Sequence, residues 1–342
     1  MAKTMMARET REIPEVSRRQ LADGLDAYRE IGARFRRLDP PVLVTAARGS
    51  SDHAAAYLKY LVETHVGRPV ASLGPSVASV YGSRLRLDGA ALIAISQSGA
   101  SPDLLSLVTA GAQGGATTAA LVNAGGSPLE ELVDLPAPLF AGPEVSVAAT
   151  KSYVASLIAM AFIVAEWTGD SALEKGLQAL PDALDRAVAA DWTASDEAFR
   201  AHGPIFCVGR GMGFAVAAEA ALKFKETCRL HAEAYSSAEV LHGPIALADT
   251  GLRGLFFVPS DESRGGVLET AQSMRDAGAD VWLVDDVDRE NADHLSSAAA
   301  PHPLLTPICQ AVSFYVFIER LSRKLGNDPD NPRHLRKVTR TV

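Results

Sequence analysis

Apolar runs of four to six residues recur along the chain, and several end at glycine- or serine-bearing loops. Pro41-Val-Leu-Val-Thr-Ala-Ala-Arg-Gly-Ser50 and Pro204-Ile-Phe-Cys-Val-Gly-Arg-Gly-Met-Gly213 are two such runs. Ala91-Leu-Ile-Ala-Ile95, Ala119-Ala-Leu-Val122, Gly254-Leu-Phe-Phe-Val258 and Val281-Trp-Leu-Val284 are others. Segments with helical spacing lie between them. Strands that are apolar throughout, alternating with helices, predict βαβ units whose parallel sheets are covered on both faces. Val154 to Ala165 is the longest apolar stretch. At twelve residues it falls short of the ~20 that a spanning helix needs, so it predicts a buried core helix.

The pattern occurs twice. Gly49 and Gly211 are 211 − 49 = 162 residues apart, and Gly115 and Gly278 are 278 − 115 = 163 apart. A nearly constant offset over several elements predicts a duplicated α/β domain. The expected fold is therefore two tandem doubly wound parallel sheets, each a flavodoxin-like three-layer αβα sandwich. The expected boundaries are an N-terminal helical segment over 1–38, a first α/β domain over 39–168 and a helical connector over 169–200. A second α/β domain over 201–325 and a polar tail over 326–342 complete the chain. Ligands of such sheets bind at the carboxyl ends of the strands.

Composition narrows the function. The 342 residues carry a formal charge of −8, which argues against nucleic-acid binding and against adhesion to anionic membranes. Residues 1–19 are charged throughout and lack an apolar stretch, so a secretory signal is not expected. Cys207, Cys228 and Cys309 are odd in number and widely spaced, which predicts buried small hydrophobes in a reducing, cytoplasmic setting. The eight histidines show no HExxH and no Cys/His quartet, so neither a metal nor another cofactor is expected.

The strongest chemical signal is Leu92-Ile-Ala-Ile-Ser-Gln-Ser-Gly-Ala-Ser-Pro-Asp103. A strand runs into a Ser/Gly loop and then into a helix start, with Ser101 as N-cap and Pro102 at the first helical position. Free N–H groups and the helix dipole favour an anion there, and Ser96, Ser98 and Ser101 add O–H donors. The loop Arg48-Gly-Ser-Ser51 ends the preceding strand. A lone serine loop would be a simple helix cap; two at successive strand ends favour a phosphate. Asp103 would repel a phosphate and is expected to point away. The second copy carries Pro259-Ser-Asp-Glu262 instead, which is unsuited to an anion. Its helix Ala217–Glu226 places Glu219, Lys223 and Glu226 on one face, where spacing alone predicts a surface ion pair. His242 precedes Gly-Pro and is expected in an exposed turn.

Taken in order, these segments resemble a known family. They are Gly49-Ser-Ser51, Ser96-Gln-Ser-Gly99, Val147-Ala-Ala-Thr-Lys151, Gly209-Arg-Gly211, Glu219–Glu226, His231-Ala-Glu-Ala-Tyr235, His242-Gly-Pro244 and Pro332-Arg-His-Leu-Arg-Lys337. The set is similar to the isomerase half of glucosamine-6-phosphate synthase and to stand-alone relatives built from two SIS domains. The resemblance covers the chain from about residue 10. It implies that Gly49, Ser50, Ser51, Ser96, Gln97, Ser98 and Ser101 hold a sugar phosphate, with the Val147 backbone near the sugar. It implies Glu226 as the base that moves a proton between C1 and C2. It further implies His242 as the ring-opening group donated by the partner subunit of a homodimer, Lys337 as the cation near the sugar carbonyl, and Lys223 as an auxiliary lysine.

Departures from that pattern bear on direction. The synthase's Gly-Glu-Thr is here Gly99-Ala-Ser101, and a serine of its Val-Ala-Ser-Thr-Lys is Ala149. Only about 40 residues precede the first repeat, too few for an ammonia-generating glutaminase domain. The resemblance to the stand-alone deaminase branch then implies conversion of glucosamine-6-phosphate to fructose-6-phosphate and ammonia. A plain sugar-phosphate isomerase and a fructosyl-amine-phosphate deglycase are the alternatives on the same scaffold. A sensor that binds without turnover ranks below them.

Overall fold

A computed structural model describes residues 4–201, 203–287 and 293–337. Residues 1–3 of the expected N-terminal segment and 338–342 of the expected tail lie outside the described residues. The chain forms two compact units. The first contains Glu15–Glu144, Lys151–Gln178 and the tail from Arg336. The second contains the chain up to Pro14, Val145–Thr150 and Ala179–Leu335.

The first unit holds a parallel sheet of β1 (Leu43–Ala46), β2 (Val70–Ser72), β3 (Ala91–Ser96), β4 (Thr117–Val122) and β5 (Leu135–Pro138), ordered β2-β1-β3-β4-β5. The second holds β6 (Ile205–Gly209), β7 (Ala232–Ser236), β8 (Arg253–Phe257), β9 (Asp280–Asp285) and β10 (His294–Ser296), ordered β10-β9-β8-β6-β7, again all parallel. Counted within each unit, both orders are 2-1-3-4-5, the doubly wound arrangement whose switch point lies between the first and third strands. β1, β3, β6 and β8 are buried along their whole length, in keeping with their largely apolar sequences.

The expected core helix is the middle of Lys151–Thr168, in which all but two residues are buried. Apolar on every side, it has no face to offer water. Against it packs the helix Leu25–Leu38, where a Cβ on Gly32 would lie 2.5 Å from the Ile163 carbonyl. Phe35 meets Trp167 edge-on at 5.4 Å. Within the N-terminal segment, helix runs from Ile13 to Leu38, and Ile13–Arg19 joins Leu25–Leu38 through a π-helical turn, Gln20–Gly24. That turn buries Gln20, whose amide donates to Tyr28 Oη at 3.0 Å and to the Ala155 carbonyl at 2.9 Å. A further short helix, Met5–Arg11, belongs to the second unit.

In the second unit the segment Pro303–Lys324, which contains the helix Thr306–Lys324, is apolar and long enough by composition to cross a membrane, yet it is mostly buried in the fold. Its Phe314 and Phe317 pack with Phe199 and Phe224 at ring separations of 5.5–6.2 Å. All three cysteines are buried and free, and burial pushes the thiols of Cys228 and Cys309 up to about 12.

Candidate active site

In the first unit, β1 and β3 lie side by side with Ala46 opposite Ala94, so their terminal loops are neighbours. The β1 loop turns at Gly49, φ +56°, into the helix Ser50–His65, leaving Ser50 and Ser51 partly exposed at its start. The β3 loop is held from within. Ser96 Oγ accepts the Gly99 N–H at 3.0 Å, Gln97 O accepts the Ala124 N–H at 3.0 Å, and Gly99 O accepts the Leu129 N–H at 3.1 Å. Ser98 Oγ accepts the Ala100 N–H at 3.4 Å. Gly99 has φ +61°, and a Cβ there would stand 2.2 Å from Ser127 Oγ. Only glycine satisfies both the backbone and the contact.

Ser101 is the N-cap of Pro102–Gln113 and makes no side-chain capping bond. Its hydroxyl is thereby available beside the positive end of the helix. Asp103 is fully buried and turns to the neighbouring loop, where Arg48 donates to Oδ2 from Nε at 3.1 Å and from Nη2 at 3.0 Å. The same carboxylate accepts the Leu104 N–H at 2.8 Å. Arg48 has the further effect of tying the two loops together.

Also in the first unit, Lys337 donates to Glu144 Oε2 at 2.9 Å. The Glu144 carboxylate is fully shielded and accepts Ser152 Oγ at 2.7 Å and the Ser152 N–H at 3.1 Å, next to the start of Lys151–Thr168. A described tail lysine held on a buried carboxylate is not a solvated terminus. Glu144 escaped the reading of the sequence because no spacing links residue 144 to residue 337.

In the second unit, the helix carrying the expected ion pair runs Gly213–Lys223 and then widens into a π-helical turn, Phe224–Cys228, closed by Arg229 in the left-handed region. Wide turns of this kind are frequent at functional sites. Lys223 Nζ donates to Glu226 Oε2 at 2.7 Å and lies 3.1 Å from Glu219 Oε1. Glu219 also accepts Tyr315 Oη at 2.9 Å. This corrects the surface reading: Lys223 and Glu219 are about 1% exposed, and only Glu226, at 22%, reaches solvent. Spacing of i,i+4 is the same on either face of a helix, and one partner of the buried group, Tyr315, comes from far along the chain. Burial opposes the Lys223 charge, but Glu219 and Glu226 outweigh it and hold the lysine above its ordinary pKa. The result is a lysine that stays charged while buried, hydrogen-bonded to a carboxylate with one open side.

Val147 also falls in the second unit, and its N–H donates to the Asp330 carbonyl at 3.2 Å. His242 is exposed on the turn before Gly243, φ +143°, between the exposed apolar side chains of Leu241 and Leu247. His231 and Tyr235 both bond Glu233 on the edge strand β7. Among the described residues no group of three or more His, Cys, Asp or Glu is arranged to hold a metal ion.

The SIS domain is matched by residues 40–165 and again by 199–317. The isomerizing glutamine–fructose-6-phosphate aminotransferase of Symbiobacterium thermophilum is 32% identical over 359 residues, covering 97% of this chain and 58% of that protein. Its counterpart from Aeropyrum pernix is 34% identical over 319 residues, covering 86% and 50%. The chain thus spans about half the length of these relatives. Among solved structures, a protein of Silicibacter pomeroyi DSS-3 provisionally named a phosphosugar isomerase superposes with a TM-score of 0.91 at 43% identity, covering 96% of this chain and all of that one. The C-terminal domain of glucosamine-fructose-6-phosphate aminotransferase from Francisella tularensis gives 0.83 at 25% identity, covering 97% and 99%. Glucosamine-6-phosphate deaminase from Thermotoga maritima gives 0.71 at 18% identity, covering 95% and 100%, a likeness of fold.

Proposed function

The chain belongs to the SIS domain family, and on that footing we propose that it is a phosphosugar isomerase working as a deaminase, converting glucosamine-6-phosphate to fructose-6-phosphate and ammonia. The observation that carries this reading is the serine loop: the Asp103 carboxylate is bonded to Arg48, and Ser101 caps a helix start with its side chain making no capping bond. In this reading Ser51, Ser96, Gln97, Ser98 and Ser101, with Gly49 and Ser50, hold the phosphate, and the Val147 backbone lies near the sugar.

Glu226 takes the C2 proton of the open-chain sugar and returns it to C1. The amine carbon becomes an imine, which water hydrolyses to the C2 ketone and ammonia. A general base must be ionised and partly accessible. The charged Lys223 beside Glu226 and the open side of its carboxyl support that role. Lys337 stabilises negative charge developing on the sugar oxygen. His242 assists ring opening. Its exposed turn, flanked by exposed Leu241 and Leu247, supports donation to a second copy in a homodimer. Free, buried Cys207, Cys228 and Cys309 suit a reducing compartment, and the cytoplasm is the proposed location.

Purified protein given glucosamine-6-phosphate is expected to release ammonia and fructose-6-phosphate in equal amounts. Absence of ammonia from every 2-amino-sugar phosphate tried refutes the deaminase reading. Glu226→Gln is expected to abolish exchange of the C2 proton with solvent while phosphosugar binding is retained; undiminished exchange removes Glu226 from the role of base.

A further inference from the structure

The helix Met5–Arg11 has seven residues, too few for stability on its own. The second unit supplies what it lacks. Its N-cap Thr4 accepts the Ala7 N–H at 3.0 Å and donates to Glu319 Oε1 at 2.7 Å. The Asp330 carboxylate accepts the Met5 and Met6 N–H groups at 2.7 and 2.8 Å. From this capped helix Glu9, only 4% exposed, accepts the N–H groups of Val145 and, at 3.3 Å, of Ser146. The next N–H, that of Val147, donates to the Asp330 carbonyl at 3.2 Å, and Ser146 Oγ donates to Pro329 O at 3.4 Å.

Three successive amides are therefore held: two by the Glu9 carboxylate and one by the main-chain carbonyl of Asp330, whose carboxylate caps the helix that carries Glu9. A carboxylate spanning two consecutive N–H groups sets the direction of the peptide as well as its place. The segment so fixed includes Val147, and it directly follows Glu144, the partner of Lys337. We propose that Glu9 and Asp330 are positioning residues: they fix the orientation of the Val145–Val147 backbone, and through it the sugar-side group at Val147. Its kinetic consequence rests on the deaminase reading; its structural consequence does not.

The test uses the full chain with Glu9→Ala, Glu9→Gln, Asp330→Ala and Asp330→Asn. Hydrogen–deuterium exchange in peptides spanning 145–150 is expected to quicken about tenfold in the alanine variants, with β6 and β8 unchanged. Glu9→Gln, which keeps one acceptor oxygen, is expected in between. On the sugar phosphate that the wild type turns over, Glu9→Ala is expected to lower kcat about tenfold and to move KM by less than about threefold, because the serine loop is untouched. Unaltered exchange at 145–150 in both alanine variants overturns the proposal. So does exchange that rises uniformly through the second unit, or a local rise with kcat unchanged. If the wild type releases no ammonia, the deaminase reading fails, and the exchange result still decides the role of Glu9 and Asp330.

Discussion

Replacing Lys223 with methionine tests the buried triad most directly. The change keeps the length of the side chain and removes its charge. Glu219, at about 1% exposure, then loses the charge of Lys223, while the hydroxyl of Tyr315 still donates to it. Breaking a buried pair by removing one partner costs about 3–5 kcal/mol, because the other charge is left uncompensated. Glu226 adds little to that figure, since its carboxyl reaches solvent. The double variant Lys223→Met with Glu219→Gln leaves no stranded charge, and the glutamine oxygen still accepts from Tyr315. It is expected to lie within about 1–2 kcal/mol of the wild type. Urea denaturation followed by tryptophan fluorescence reads the difference, and Trp192 and Trp282 report on the second unit. The pH dependence has a definite sign. The folded pKa of Lys223 is raised above 10.5, so its stabilising contribution is fully present below that value and is lost as pH rises through the folded pKa. The gap between the wild type and Lys223→Met should therefore hold steady from pH 6 to 9 and narrow only in strong alkali. A loss below about 1 kcal/mol in the single variant, or a double variant no more stable than the single one, refutes the triad as a compensated buried pair.

Arg48→Ala should release the Asp103 carboxylate beside the serine loop and raise KM for the phosphosugar about tenfold, and adding Asp103→Asn should restore most of it; a KM unmoved by Arg48→Ala counts against the phosphate reading. Gly99→Ala, which must place a methyl 2.2 Å from Ser127 Oγ at positive φ, should cost about 2 kcal/mol of stability and weaken phosphosugar binding in calorimetry. Wild-type behaviour in both measurements would show that the loop tolerates a side chain.

The inner strands were legible in the sequence and the outer ones were not. β1, β3, β4, β6, β8 and β9 announce themselves as apolar runs. The four strands that escaped, β2, β5, β7 and β10, are the edges of the two sheets. They have three to five residues and are partly exposed, so burial imposes no continuous apolar pattern on them. The same limit applied to the site. The serine loop is contiguous in sequence, and its strand end and helix start could be read locally. Glu219, beside Lys223, is bonded by Tyr315, and Lys337 is anchored on Glu144. Each is a relation between distant residues that periodicity does not encode.

The bonds from Asp330 to Met5 and Met6 span 325 and 324 residues, and this sets an order of events during synthesis. Helix Met5–Arg11 leaves the ribosome long before the carboxylate that caps it exists, and at typical elongation rates the wait is about 15–60 s. Until then it is a seven-residue peptide without its cap, and the second unit, to which it belongs, remains unfinished. The first unit's sheet is complete once residue 138 has emerged, so it has nearly two hundred residues' head start. A translational stall or a truncation shortly before residue 330 would leave the first sheet folded, yet strand Met5–Arg11 at the opposite end of the chain.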